Sequence, residues 1–261
     1  MDYSYSGSEG FTQTYPQSFE ELLEAPCKVI NLERNPERWE VAKERIKRAG
    51  WKNVERVVGV DGKDKGALQK EWEKLGNPAF AGWDKEFVEY PGKQGCFLSH
   101  VKLWKKMIED KIPYMVVLED DVLFHPKWSE IAPGYFANTP KNYDLFYMGA
   151  QMEFMSNYHI DCGPVFCTHA MVVTYTGAKK MLEMVCGKKG GVYTIDCMLI
   201  DMMKYKLMNH GNMERFPFYW YVWNGQKFYP TEIQNMPKGW TKRNAGLIFQ
   251  DESFGSEVRV W

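Results

Sequence analysis

Short apolar runs recur along the chain and predict the strands of an α/β domain. The run at residues 114–118 is almost wholly apolar, which is typical of a strand buried on both faces, as in a parallel sheet. The run at residues 53–60 ends at Asp61-Gly62, a strong turn dipeptide. The predicted strands are residues 28–32, 53–60, 114–118, 144–149 and 165–175.

Segments with apolar residues at helical spacing separate these strands. Asn35 and Pro36 are typical of a helix start, and Gly50 is typical of a helix end. Residues 77–93 are rich in Gly, Pro and aromatic side chains and are predicted to form a loop. Further helices are predicted at residues 65–75, 99–110, 177–185 and 195–207. The alternation of strands and helices indicates an α/β fold with a largely parallel sheet.

The composition predicts a folded domain without a polyanionic partner. Apolar residues make up 44% of the 261 residues, and 10 are Trp, so the chain can bury a sizeable core. The net charge of −1 leaves no basic surplus for neutralising phosphates, which argues against nucleic-acid binding. A polar N-terminal arm over residues 1–26 followed by one domain over residues 27–261 is the simplest organisation.

Cysteine spacing and hydropathy bear on the compartment. The six cysteines form no C-x-x-C pair and no zinc-like cluster, so free thiols are expected, with a Cys162–Cys167 disulfide left open. The first 26 residues contain no apolar segment and no basic segment of the kind found in secretory signals, and no window approaches a membrane span. A cytoplasmic protein without a membrane span is therefore expected.

Three consecutive acids, Glu119, Asp120 and Asp121, follow the apolar run at residues 114–118. Ligands of parallel α/β sheets bind beyond the carboxyl ends of the strands, and this is where these acids are predicted to lie. Side chains alternate along an extended backbone, so Glu119 and Asp121 are predicted to share one side. Two carboxylates suit Mg²⁺ or Mn²⁺. The alternative is an acidic strand end that is solvated or paired with lysines.

Five sequence blocks occur together in a characteristic order. They are VINLERNPERW, GVDG, GCFLSHVKLW, VVLEDDVLF and GAKKML. Over residues 28–207 the chain thereby resembles glycosyltransferase family 25, which includes lipopolysaccharide sugar transferases, collagen galactosyltransferases and enzymes of large DNA viruses. The resemblance implies a Rossmann-like nucleotide-sugar-binding domain of GT-A type, a nucleotide-sugar donor, a divalent metal and inversion at the anomeric carbon.

The resemblance also implies a donor pocket. Asp61 and Gly62 would meet the base or ribose, or form a plain turn. Ser99 and His100, at the start of a predicted helix, would face the donor phosphates, or Ser99 would simply cap that helix. Arg34 and Arg38 lie four apart and would meet a pyrophosphate from one helix face, or that face would be solvated. The first block places Asn31, Leu32, Arg34 and Arg38 in the nucleotide pocket.

For the chemistry, the resemblance implies Glu119 and Asp121 as ligands of Mn²⁺ or Mg²⁺, with Asp120 beside the donor. His169 and His210 are candidates for a further ligand, and nothing in the sequence selects between them. Asp196 would be the general base or an acceptor contact, or an acid favoured by a helix N-terminus.

Two weaker candidates and one departure complete the candidate site. Glu153 and Asp161 are weaker alternatives for the base. The family usually has Glu where this chain has Lys93, and this difference bears on which donor sugar is bound or on how that sugar is oriented.

The aromatic stretch at residues 213–230 is predicted to be core, with an acceptor platform as the alternative. The sequence therefore predicts a metal-dependent inverting transferase that moves galactose by default, or xylose or glucose, from a UDP-sugar to a glycan or glycoconjugate. A non-catalytic nucleotide-sugar or glycan-binding module is the alternative. A nucleotidyltransferase is less favoured, because no Gly-rich basic loop follows the first strand.

Overall fold

The computed structural model describes residues 11–80, 84–152, 160–186, 192–207, 218–224 and 243–254. The helices are α1 (Phe19–Leu23), α2 (Pro36–Arg48), α3 (Lys65–Lys74), α4 (Lys85–Glu89), α5 (Pro91–Glu109), α6 (Trp128–Asn138), α7 (Tyr175–Cys186) and α8 (Ile195–Leu207), with a 3-10 turn at Glu252–Phe254. The strands are β1 (Cys27–Asn31), β2 (Val54–Val58), β3 (Tyr114–Glu119), β4 (Val122–Phe124), β5 (Leu145–Met152), β6 (Ile160–Asp161), β7 (Phe166–Thr174), β8 (Trp220–Trp223), β9 (Arg243–Gly246) and β10 (Ile248–Gln250).

Within these ranges, eight strands form one central sheet in the order β2-β1-β3-β7-β5-β8-β6, and β9 pairs with β5. Five strands, β1, β2, β3, β5 and β8, point in the same direction. β7 runs antiparallel between β3 and β5, and β6 and β9 also run against the majority. The predicted α/β class with a mainly parallel central sheet is confirmed in this sense.

Apolar side chains cover both faces of the sheet, as the continuous apolar run of β3 predicts. Met115 and Val117 pack into a cluster that includes side chains of α3, α5, α7 and α8. Val116 and Leu118 pack into a second cluster that includes side chains of α1, α2 and α6. All four side chains are nearly inaccessible to solvent, so β3 lies at the centre of a three-layer structure.

Residues 11–23 and 218–224 also contribute to this core. Phe19 and Leu22 of α1 are buried, and Phe11 stacks on Tyr175 with ring centroids 3.9 Å apart. The described part of the aromatic stretch, residues 218–224, has buried Phe218, Trp220 and Trp223, which confirms the core interpretation there. Residues 213–217 and 225–230 lie outside the described residues. None of the described helices is long and apolar enough to cross a membrane.

Two predicted boundaries between residues 77 and 110 are wrong. The predicted loop at residues 77–93 contains α4, and α5 begins at Pro91 rather than at Ser99. Pro is favoured in the first turn of a helix, where its missing N–H is not needed. Gly92 contributed to the loop prediction, but it is helical.

Candidate active site

A cleft of about 510 Å³ opens at the carboxyl ends of β1 and β3, where a ligand site of an α/β sheet is expected. Its wall also includes residues from the loop after β2, from α5 and from the start of α8. The main residues that the sequence predicted for the donor pocket, the metal and the base line this cleft. These residues are Asn31, Leu32, Arg34, Arg38, Asp61, Gly62, Ser99, His100, Glu119, Asp120, Asp121 and Asp196.

Close backbone packing holds the loop after β2 against α5. A Cβ atom on Gly95 would overlap the carbonyl oxygen of Val60, and one on Gly62 would overlap the backbone at Pro91. Ser99 reinforces the contact, because its hydroxyl accepts a hydrogen bond from the Val60 N–H at 2.8 Å and donates one to the Gly95 carbonyl at 2.6 Å. Ser99 therefore lies inside a helix and holds a loop against it, so the predicted helix start at Ser99 is wrong. Ser99 and His100 do line the cleft, and their contact with the donor stays a prediction.

Asp120 is held by β1 and α2. Asn31 donates its side-chain N–H to Asp120 Oδ2 at 2.6 Å, and the Arg38 guanidinium forms an ion pair with Asp120 Oδ1. Arg56 donates to Asn31 Oδ1 at 2.7 Å and so orients the Asn31 amide. Burial raises the pKa of Asp120, and the charge of Arg38 only partly offsets this effect. Asp120 thus points away from the side of the cleft that Glu119 faces.

Glu119 ends β3 and faces α5 and β7. Its Oε1 accepts a hydrogen bond from the Thr168 hydroxyl at 2.9 Å and lies 3.4 Å from Nε2 of the fully buried His100. Burial acts to raise the pKa of Glu119, but the hydrogen bond and charge of His100 and the charge of His169 outweigh it and hold the pKa below its usual value. Glu119 is therefore an ionised carboxylate at neutral pH.

Asp121 is the acid with the fewest partners. Its Oδ2 is 3.5 Å from the Gln250 side-chain N–H and 3.8 Å from the Arg38 guanidinium. Its Oδ1 is buried and has no hydrogen-bond partner among the residues the structure describes. Burial and the negative charge of Glu119 raise the pKa of Asp121 to about 8. A cation between Glu119 and Asp121 would supply the missing partner, so these residues fit the predicted Mn²⁺ or Mg²⁺.

The two arginines do not share a helix face. Arg34 precedes α2 and forms an ion pair with Asp61 at 2.6 Å, whereas Arg38 lies in α2 and pairs with Asp120. Burial acts to raise the pKa of Asp61, but the hydrogen bond and charge of Arg34 outweigh this effect and hold the pKa below its usual value. The main-chain N–H of Lys63 also donates to Asp61 Oδ1 at 2.9 Å, so Asp61 forms the predicted turn while lining the cleft.

Asp196 lies in the first turn of α8 on the cleft wall. Its carboxylate accepts from the main-chain N–H of Cys197 at 2.8 Å and from that of Cys167 at 3.4 Å. Asp196 therefore lies at a helix N-terminus and also lines the cleft, so its two interpretations are compatible. Among the weaker candidates, Asp161 lies in β6 and is absent from the cleft wall, and Glu153 lies outside the described residues.

Of the two histidines considered as further metal ligands, the structure describes only His169, which does not line the cleft. Nε2 of His169 lies 2.9 Å from the Ile248 carbonyl oxygen, and His169 is not part of the lining. His210 lies outside the described residues. Cys162 and Cys167 form no disulfide, in agreement with the expectation of reduced thiols for this pair.

Comparisons with known proteins identify the family of this chain. The model of "Glycosyltransferase family 25 (LPS biosynthesis protein)" matches residues 25–162, which is more than half of the chain and includes β1, α5 and the three acids. The chain belongs to glycosyltransferase family 25.

Named relatives of this family 25 chain come from animals and a virus. A glycosyltransferase 25 family member of Anopheles gambiae is 32% identical over 168 residues, which are 59% of this chain and 28% of the relative. Procollagen galactosyltransferase 1 of Danio rerio is 25% identical over 189 residues, 66% of this chain and 30% of the relative. The mimivirus procollagen lysyl hydroxylase and glycosyltransferase is 29% identical over 176 residues, 59% of this chain and 19% of the relative. The chain therefore corresponds to less than a third of each relative's length.

A solved structure also aligns with the chain. It is a glycosyltransferase involved in glycosylation of the major capsid of PBCV-1, with a TM-score of 0.36, 10% identity, and coverage of 74% of this chain and 78% of that one. At this TM-score the alignment supports no structural argument.

Several cleft residues of this family 25 chain were missed by sequence reasoning. Cys96 lies four residues before His100, and this helical spacing was the available signal. Thr168 and Gln250 had no signal, because they reach the cleft from β7 and β10. Lys93, at the departure from the family pattern, pairs with Glu86 and places its ammonium 5.4 Å from the Tyr90 ring centroid.

Proposed function

We propose that this family 25 chain transfers a sugar from a UDP-sugar to a hydroxyl of a glycan or glycoconjugate, and that the reaction depends on a divalent cation at Glu119 and Asp121. The observation that carries the proposal is the buried Asp121 Oδ1 without a described partner, next to an ionised Glu119. Two neighbouring buried carboxylates require a positive charge to remain ionised together. When bound, a divalent cation neutralises charge that develops on the leaving nucleoside diphosphate.

The cationic residues of the cleft support an anionic donor. Lys63, Lys65 and Arg34 line it near the loop after β2. Arg38 Nε is buried without a hydrogen-bond partner among the described residues, so this guanidinium retains a donor besides those used by Asp120. Arginine donors are well matched to phosphate oxygens. In the proposal, these side chains hold the diphosphate of the donor.

Asp196 supplies the base in this proposal. It lines the same cleft as the acid cluster and is an intermediate-exposure carboxylate, so an acceptor hydroxyl can approach it from solvent. In an inverting displacement the acceptor oxygen forms a bond to the anomeric carbon while the bond to the diphosphate breaks, and Asp196 takes the acceptor proton. Galactose is the proposed sugar, since three relatives with similar sequences are named procollagen galactosyltransferases.

The experiment is a calorimetric titration of UDP, UDP-galactose, UDP-glucose, UDP-xylose and GDP, each with Mn²⁺ and with EDTA. We expect one UDP-sugar to bind only with Mn²⁺, and Asp121→Asn to lose both this binding and sugar transfer. Asp110→Asn is the matched control, because Asp110 is an exposed acid at the end of α5 outside the cleft and should leave both unchanged. Unchanged turnover in Asp121→Asn would refute the cation role, and donor binding without turnover on any acceptor would favour the non-catalytic module.

A further inference from the structure

Three side chains of different chemistry converge on one wall of the cleft. Cys96 and His100 lie four residues apart on α5, and Glu119 ends β3. One ligand-type atom from each side chain lies within 4.8 Å of the corresponding atoms of the other two. A thiolate, an imidazole and a carboxylate together are a ligand set typical of Zn²⁺ and related borderline ions, whereas Mg²⁺ prefers oxygen atoms alone.

The spacing of His100 and Glu119 fits a shared ion. Their separation, 3.4 Å from Nε2 to Oε1, is longer than an ordinary N–H···O hydrogen bond of about 2.7–3.2 Å. Two ligand atoms bound at about 2.0–2.1 Å in a tetrahedral shell are roughly 3.3 Å apart. The observed gap is that of a long hydrogen bond and is also compatible with two ligands of one tetrahedral ion.

The surroundings of the cluster orient the ligands and add negative charge. Thr168 donates to Glu119 Oε1 at 2.9 Å, which fixes the carboxylate. Burial, together with the negative charges of Glu119, Asp196 and Asp121, raises the pKa of the Cys96 thiol. His100 is fully buried, and its Nδ1 has no hydrogen-bond partner in the described part of the chain, so no such partner draws the ring away from Glu119.

We infer that Cys96, His100 and Glu119 form a site for a thiolate-binding divalent ion of the Zn²⁺ class, with a fourth position open to the cleft. On binding, the Cys96 thiol releases one proton to the buffer and its sulfur bonds to the ion. The inference rests on the proposed function for the role of an ion in the cleft. It deepens that function, because Glu119 belongs to both ligand sets. It adds a preference for a metal with affinity for sulfur, which the acids alone would not have.

The test is titration of the full chain with Co²⁺, a spectroscopic substitute for Zn²⁺, without nucleotide. We expect binding of one equivalent, with the absorption of a tetrahedral ion and a thiolate-to-Co²⁺ charge-transfer band that Zn²⁺ displaces. Cys96→Ser should remove the band and weaken Zn²⁺ binding by at least about 10–100-fold, the loss reported even for outer-sphere partners. Cys162→Ser is the matched control, because Cys162 is exposed and away from the cleft wall, and should retain the band.

A second measurement needs no variant at the site. In the unmodified chain, Zn²⁺ should protect Cys96 but not Cys162 from alkylation, as read by mass spectrometry. Absence of the charge-transfer band at saturating Co²⁺, or the same band in Cys96→Ser, would overturn the inference, as would equal alkylation of Cys96 with and without Zn²⁺.

The Asp121→Asn variant separates this inference from the proposed function. It should keep the Co²⁺–thiolate band while losing Mn²⁺-dependent nucleotide binding. A band without any nucleotide binding in the unmodified chain would uphold the ion site and refute the proposed function. Mn²⁺-dependent nucleotide binding without the band would uphold the proposed function and refute the ion site.

Discussion

Removing the positive charge of Arg38 should strongly destabilise the fold, because Arg38 neutralises a buried acid. The side chains of Arg38 and Asp120 are only 13% and 10% exposed. Deleting one partner of a buried ion pair costs about 3–5 kcal/mol, since the remaining charge is left without compensation. Asn31 still donates to Asp120 in an Arg38→Met variant, so we expect the lower end, about 3 kcal/mol. For a chain of this size, this corresponds to a fall in melting temperature of about 6–12 °C.

The assay is urea unfolding of Arg38→Met, Asp120→Asn and the double variant, which together give the coupling energy between the two side chains. The double variant should be more stable than the sum of the two single losses predicts, because it carries no unpaired charge. Arg48→Met is the control on the same helix. Its exposed pair with Glu44 should contribute less than about 1 kcal/mol. A loss in Arg38→Met no larger than that in Arg48→Met would refute the reasoning about burial.

Two further predictions concern the packing of α5 and the C-terminal turn. Gly95→Ala should destabilise the fold by about 1–3 kcal/mol or more, because the added Cβ meets the Val60 carbonyl oxygen. Gly134→Ala, in open space on α6, should instead stabilise the fold by about 0.5–1 kcal/mol. Thermal unfolding of both variants checks this, and similar effects of the two substitutions would contradict it. Burial raises the pKa of Asp251, but hydrogen bonds from Ser253 and Arg45 outweigh this and hold it below its usual value of 3.8. The stability contributed by the Arg45–Asp251 pair is therefore present above pH 3.8 and is lost as the pH falls through the lowered pKa of Asp251. The loss of unfolding free energy in Arg45→Met, measured by urea unfolding, should therefore shrink on acidification. A loss that stays constant with pH would contradict the pairing.

Acidic and cationic side chains both line the cleft, and the acids differ in how closely they are paired. Arg34 and Arg38 form close ion pairs with Asp61 and Asp120. Asp121 lies 3.8 Å from Arg38, and its Oδ1 has no hydrogen-bond partner among the described residues, while Glu119 lies 3.4 Å from His100. An ion entering here is attracted by two carboxylates in a setting of low polarity, where electrostatic interactions are stronger than in water. This difference between the two pairs of acids is the reason the proposed cation is assigned to Glu119 and Asp121 rather than to Asp120.

Local patterns were sufficient for much of the fold. The apolar run of β3, the Asn35-Pro36 start of α2 and the spacing of Leu68 and Trp72 in α3 each predicted an element that the structure contains. Such elements are predictable because burial of one face imposes a period of two or 3.6 residues on neighbouring positions. The position of the acids at a strand end also follows from sequence, since the strand and the acids are contiguous.

The partners of the site residues were decided by tertiary structure alone. Gln250 reaches Asp121 through the pairing of β10 with β4, two short strands that are more than a hundred residues apart. Val60 approaches Gly95 so closely that a Cβ atom there would overlap the Val60 carbonyl oxygen, which explains a glycine inside α5. A sequence shows which residues can carry a charge or bind an ion. Which charges meet, and which remain without a partner, depends on contacts between distant segments, for which local periodicity carries no information.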